Sequence, residues 1–200
     1  DDAMLSRDYV YRLGQFIVRY SDIGCVAGTV MTDGKIITDH RQRMTYPGFR
    51  FKKIDKSEYQ KKVFLCDTAS FCGIMIKDSI VASIGYPQKD YFIWYDDTEY
   101  CVRIRKVTRI AVVTSAKLNH KTVLTQAEWP RHYTWKDYYG IRNRILMVNK
   151  HGNIIDKIYN RLYIFLNVWC RNKIFGMIRF HGYDWKFELE TYKKAIKSLK

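Results

Sequence analysis

The stretch Ile23–Ile37, IGCVAGTVMTDGKII, constrains the fold more than any other part of the chain. Apolar and small residues lead into Asp33-Gly34, a dipeptide suited to a tight turn in which both positions take positive φ. The spacing predicts two short strands around that turn. SFCGIMIKDSIVASIG predicts a buried strand followed by a short helix, and RIAVVTSAKLNH a further strand ending at His120. Helical spacing is equally plain elsewhere. Val10, Leu13, Phe16 and Ile17 recur on one face, with Ser6 or Asp8 as N-cap. Tyr100, Cys101, Ile104 and Val107 do the same, and a helix is expected from Trp135 to about Lys150. After the His151-Gly152 break a second helical run extends from Ile154 to Phe180. Strands alternating with helices predict an α/β domain with a mixed sheet. Residues 40–62 are polar, basic and aromatic around Pro47-Gly48, and are expected to form a long surface loop.

Composition narrows the function classes. With 47% apolar residues over 200 positions, the chain is a packed globule and not a disordered one. A formal net charge of +15 favours polyanionic partners: nucleic acid, an anionic membrane surface or phosphate-bearing substrates. The basic residues are spread out, so charge alone does not choose among them. Five cysteines without a CxxC pair indicate neither a disulfide framework nor a zinc site, and point to a reduced, cytosolic environment. No basic-then-apolar leader and no apolar run of ~18 residues is visible. The stretch 154–180 mixes large apolar residues with Arg and Lys. It suits core packing, or an interfacial helix on an anionic membrane.

The chemistry concentrates at YFIWYDDTEYCVR, Tyr91–Arg103. Asp96, Asp97 and Glu99 have a simple structural reading, since acids at a helix start are stabilised by free N–H groups and the dipole. Three carboxylates exceed what a cap uses, and they follow Tyr91, Phe92, Trp94 and Tyr95 directly. Aromatic rings beside carboxylates suit sugar recognition, because a ring packs on C–H faces while acids accept from hydroxyls. Far off in sequence lie Asp1-Asp2 and His120, which together offer carboxylates and an imidazole for Mg²⁺ or Mn²⁺.

Taken in order, DDAML, the segment Phe71–Lys106, VVTSAKLNH and YYGIRNRILMVNKHG resemble the family-two glycosyltransferases of the GT-A fold. The nearest branch is the galactofuranosyltransferase-like and rhamnosyltransferase-like enzymes. The resemblance implies a mixed-sheet GT-A fold followed by C-terminal helices. Asp1-Asp2-Ala3 is similar to the end of the family's Asp-rich motif, which implies Asp2 as a metal ligand and Asp1 as donor-binding. Asp97 matches the catalytic base of the family's WDDxE-type motif, and His120 a further metal ligand. Tyr95 stands where the galactofuranosyl branch often has Trp directly before the two acids.

The reaction so implied is transfer of a sugar from a nucleotide diphosphate sugar to a glycan or lipid-linked acceptor hydroxyl, with inversion. Trp94, Asp96 and Glu99 would bind the acceptor, Mn²⁺ or Mg²⁺ the diphosphate, and the loop from His40 to Lys62 would close over the donor. The resemblance divides the chain into an acceptor- and metal-binding part, 1–134, and a helical segment, 135–200. Because the chain starts inside the metal motif, it implies that a nucleotide-binding βαβ half precedes Asp1 and that these residues alone are inactive. A cytoplasmic enzyme, peripheral at the inner face of the membrane and without nucleic-acid partners, is the expectation. The competing readings from charge and acids are a nucleic-acid-binding module and a metal-dependent nuclease.

Overall fold

The structure is a computed structural model that describes residues 3–121, 134–177 and 185–199. In chain order it contains β1 (Ala3–Leu5), α1 (Tyr9–Arg19), β2 (Ile23–Thr32), β3 (Lys35–Ile36), β4 (Arg41–Thr45) and β5 (Arg50–Lys53). Then come β6 (Val63–Cys66), β7 (Thr68–Ala69), β8 (Ile74–Ile76), α2 (Asp78–Ile84), α3 (Asp96–Ile104) and β9 (Arg109–His120). The helices α4 (Trp135–His151), α5 (Ile154–Ile164), α6 (Arg171–Met177) and α7 (Trp185–Lys197) follow, with a π-helical stretch, Phe165–Cys170, between α5 and α6. The residues form two compact units. One holds the strands and α1 to α3, apart from Thr45–Arg50 and Lys89–Asp96; those two segments group with α4 to α7.

In the first unit β2 and β9 run parallel at the centre of a mixed sheet ordered β1-β9-β2-β3, with β6 antiparallel on β9 and β8 antiparallel on β2. The sequence of β2 explains its place. Its residues are almost all buried, because alternate side chains enter different cores and both faces are covered. Val26 and Val30 pack with Ala111, Val113 and Leu118 against Tyr9, Leu13 and Ile17 of α1. Cys25 and Ala27 pack with Ile110 and Val112 against Tyr100, Cys101 and Ile104 of α3. Truncating Leu13, 1% exposed, to Ala should cost about 2–5 kcal/mol. The predicted turn is present: Asp33 and Gly34 have φ of 48° and 73°, and β3 returns antiparallel to β2. Register slips between Gly28 and Thr29, whose partners on β9 are Val113 and Lys117, so residues 114–116 bulge. Gly28 is required there: a Cβ would lie 2.4 Å from the Ala116 carbonyl oxygen and 2.5 Å from the Tyr9 ring.

Three expectations are corrected. Residues 40–62 are not one loop. They contain β4 and β5, which pair in a small sheet ordered β5-β4-β7, then a 3-10 turn at Lys56–Gln60. On α1 the buried face carries Tyr9 with Leu13 and Ile17, while Val10 is 58% exposed. The Tyr9 hydroxyl donates to Gly73 O at 2.5 Å, a use for this position that apolar spacing does not reveal. Finally, α3 stops at Ile104, and Val107 lies beyond it, half exposed. The helical run after residue 154 is divided as given above, and residues 178–180 lie outside the described ones.

In the second unit, capping sets the helix starts. The Thr134 N–H donates to Asp137 Oδ2 at 2.6 Å before α4, and Asn153 and Asp156 cap each other's N–H groups before α5. Asp156 Oδ1 also accepts from Gly48 N at 2.7 Å, which fastens the Thr45–Arg50 turn to the start of α5. No described helix is long and apolar enough to cross a membrane. On α5, Ile154, Ile155, Ile158 and Leu162 are at least half exposed.

Candidate functional site

The three acids of Asp96–Glu99 open α3, as their composition predicts, but they divide. Asp96 and Asp97 are half-buried, and Asp97 Oδ1 accepts from the Thr98 hydroxyl at 3.0 Å. Glu99, expected among the acceptor-binding acids, is placed inside: it is fully buried and accepts from Arg103 Nε at 3.0 Å. Arg103 also donates to Ile84 O at 2.6 Å and Tyr86 O at 3.0 Å, with its guanidinium 4.7 Å over the Tyr100 ring. One ion pair thus fixes the orientation of α3 from within, and Asp97 is held at its first turn.

A chain of contacts leads from α3 to His120. Cys101 Sγ and the Ala69 backbone are 3.3 Å apart, and Tyr100 meets Phe71 edge-on with centroids 6.0 Å apart. Between them, Ser70 Oγ lies 2.8 Å from His40 Nδ1. The His40 ring in turn lies edge-on to His120, centroids 5.5 Å apart. Burial, then the Arg41 cation, then His120 push the His40 pKa down to about 4, so its ring is neutral at physiological pH. The His120 carbonyl accepts from Thr32 Oγ1 at 2.7 Å, and the His120 backbone pairs with Ala3 on β1.

Arg41 holds this arrangement and was not foreseen from the sequence. It is fully buried, donating through Nε to Gly28 O at 3.1 Å, Nη1 to His40 O at 2.8 Å and Nη2 to Cys72 O at 2.9 Å. No periodicity marks an arginine inside a basic, polar stretch as a core residue. His40 was expected only as the start of a donor-covering loop, and the structure sets it beside His120 instead.

The two residues expected to start the metal motif, Asp1 and Asp2, lie outside the described residues. Ala3, which follows Asp2 in the chain, is opposite His120 on the neighbouring strand. Among the described residues no three His, Cys, Asp or Glu side chains cluster as a metal site. The imidazoles of His40 and His120 supply nitrogen alone, whereas Mg²⁺ and Mn²⁺ prefer oxygen donors.

Trp94 belongs to the second unit, as does Asp96. Trp94 and Tyr95 both sit in the left-handed region, with φ of 65° and 64°. Such a conformation costs about 1–2 kcal/mol for each non-glycine residue, so something must hold it. The holder is one face of α4. A Cβ at Gly140 would lie 2.4 Å from Trp94 Cε3, so the missing side chain makes room for the indole. One turn on, Asn143 Nδ2 donates to Ile93 O at 3.2 Å and Trp94 O at 2.9 Å, and its Oδ1 accepts from Arg142 at 2.8 Å. Residues 135–150 read as a helix from sequence alone, but no local signal marks this use of Gly140 and Asn143.

A solved structure, that of GalNAc-T7 with UDP, GalNAc and Mn²⁺, has TM-score 0.52 over 74% of this chain and 30% of that one, at 14% identity. The mixed curled sheet and its C-terminal helices are a glycosyltransferase fold of the GT-A type. Over 99 residues the chain is 29% identical to the low-salt glycan biosynthesis hexosyltransferase Agl10 of Haloferax volcanii. That match covers 48% of this chain and 32% of the curated relative, so the chain matches about a third of that protein's length. No family model matches the chain.

Proposed function

We propose that the chain is the acceptor- and metal-binding part of an inverting, family-two glycosyltransferase of the galactofuranosyltransferase-like or rhamnosyltransferase-like kind. It moves a sugar from a nucleotide diphosphate sugar to a hydroxyl of a glycan or lipid-linked acceptor. The GT-A fold and the hexosyltransferase relative support the class. The observation that carries the residue assignment is the pairing of Ala3 with His120, which joins the end of the Asp-rich motif to a histidine far away in sequence.

Asp97, half-buried at the first turn of α3, takes the proton from the attacking hydroxyl as general base. Asp2 and His120 would hold Mn²⁺ or Mg²⁺, with Asp1 on the donor side. When bound, that ion supplies positive charge for the departing diphosphate. His40, neutral and hydrogen-bonded to Ser70, fixes the edge of the His120 ring. Trp94 and Asp96 bind the acceptor sugar, and Glu99 keeps α3 in place through Arg103. The exposed Ile154, Ile155, Ile158 and Leu162, with Lys157 and Arg161 on the same helix, support peripheral contact of a cytoplasmic enzyme with an anionic membrane.

The test is Asp97→Asn in the full-length protein. Asn caps a helix about as well as Asp, so folding should be unchanged. Loss of a general base should lower kcat at least ~10²-fold. A stable, fully active Asp97→Asn enzyme would reduce the three acids to a helix start and reject the proposal.

A further inference from the structure

The second unit contains a cavity of about 380 Å³ lined by Trp94 and Tyr95 and by residues of α4, α5, the π-helical stretch, α6 and α7. That size falls within the ~300–1,000 Å³ of small-molecule sites. Most of its charged groups are committed to the protein. Glu188, buried, accepts from Arg171 Nη2 at 2.5 Å and from Asn172 Nδ2 at 2.7 Å. Asp137 serves the start of α4. Arg144 differs. Its guanidinium lies over the Tyr163 ring, 4.9 Å from the centroid, and makes no hydrogen bond or ion pair with the described residues. Its Nε is moreover buried without an acceptor. Leaving such a donor unmet is costly, more so for a charged group, and a cation–π contact recovers only part of that cost.

The other lining groups describe what fits beside that cation. Trp94 offers an aromatic surface, and Asn160 and Asn167 offer amides. Burial pushes the Tyr192 pKa up to about 12, so its hydroxyl remains a neutral donor. A flat guanidinium fork matches the paired oxygens of a carboxylate or phosphate. The carboxylates of Asp137 and Glu188, which also line the cavity, oppose a multiply charged ligand such as a nucleotide diphosphate. The geometry points to a binding site for a sugar bearing a single anionic group, with that group on Arg144 and the sugar ring against Trp94. If the transferase reading holds, this sugar is part of the acceptor. The binding itself does not require that reading.

Calorimetric titration of the full-length protein, without donor or metal, tests the site with galacturonate, glucuronate, hexose 1-phosphate and neutral galactose. At least one anionic sugar should bind with Kd below ~1 mM, and galactose should not. Arg144→Gln should weaken that binding about tenfold or more, while its melting temperature stays near that of the parent. Binding of uronates alone, or of the phosphate alone, supports the site and identifies the source of the charge. Absence of binding by the parent protein overturns the inference, as does equal binding of galactose, or undiminished binding by a folded Arg144→Gln variant. Asp97→Asn should bind the anionic sugar normally even when inactive. The two assignments therefore fail separately.

Discussion

Removing the Asn143 side chain should loosen the Trp94–Tyr95 turn, and the structure sets the size of the effect. Asn143 is fully buried and donates two hydrogen bonds, to Ile93 O at 3.2 Å and Trp94 O at 2.9 Å. Each such bond contributes about 0.5–1.5 kcal/mol net. Against them stand two left-handed residues at about 1–2 kcal/mol each. The clamp and the strain are therefore comparable, so the turn should not persist once the clamp is gone. Asn143→Ala should destabilise the protein by about 1–3 kcal/mol where the turn holds, and by less where relaxation recovers part of the strain. Relaxation of the turn should also release the indole from its place over Gly140. Urea denaturation measures the first effect. Near-UV circular dichroism measures the second, with Trp94→Phe identifying the Trp94 band among those of the five tryptophans. Asn143→Asp keeps the volume but turns an oxygen on the Ile93 and Trp94 carbonyls, and should cost at least as much. If Asn143→Ala stays within ~0.5 kcal/mol of the parent and keeps the Trp94 band, the turn is held by something else and the reasoning fails.

On the transferase proposal, Asp2→Ala and His120→Ala in the full-length protein should each depress sugar transfer, and a chelator should abolish it; full activity in chelator rejects the metal assignment. Arg41→Lys cannot reach Gly28 O, His40 O and Cys72 O together, and should cost more than ~2 kcal/mol in denaturant, as expected for lost charged hydrogen bonds. Cys25, Cys66 and Cys101 are buried with thiol pKa values pushed up by burial, so native labelling near neutral pH should stop at Cys72 and Cys170. The Cys66 thiol is raised from 9.0 to about 12, so the unfolded chain loses this proton first. Stability should then fall as pH rises through that window; a stability flat from pH 9 to 12 would refute the shift.

What could be read in the sequence was local. The Asp33-Gly34 turn, the strand ending at His120 and the helix start at Asp96 each follow from a few neighbouring residues. What escaped depends on partners distant in the chain. Tyr9 is buried because Gly73, 64 residues on, offers a carbonyl. The pairing of β4 with β7 is between strands that periodicity cannot join. Glu99 and Arg103 stand four apart, a spacing open to inspection, yet only the burial of α3 turns them inward. Trp94 and Tyr95 carry bulky side chains where left-handed backbone is least expected, and α4 is what makes that conformation tenable.

The enclosed Arg41 also bears on the order in which the first unit assembles. Its guanidinium loses water only when the carbonyls of Gly28 and Cys72 are both in position, and Gly28 stands at the register break of the β2–β9 pair. Closing β4 over an unformed pair would leave the cation with only the neighbouring His40 carbonyl to accept from it, at a cost of several kcal/mol. The segment from Thr38 to Cys72 should accordingly seal late, after β2 and β9 have found each other. Arg41 variants would then accelerate unfolding far more than they retard refolding, placing this residue on the native side of the barrier. A buried cation in this way acts as a latch, fastened last and released first.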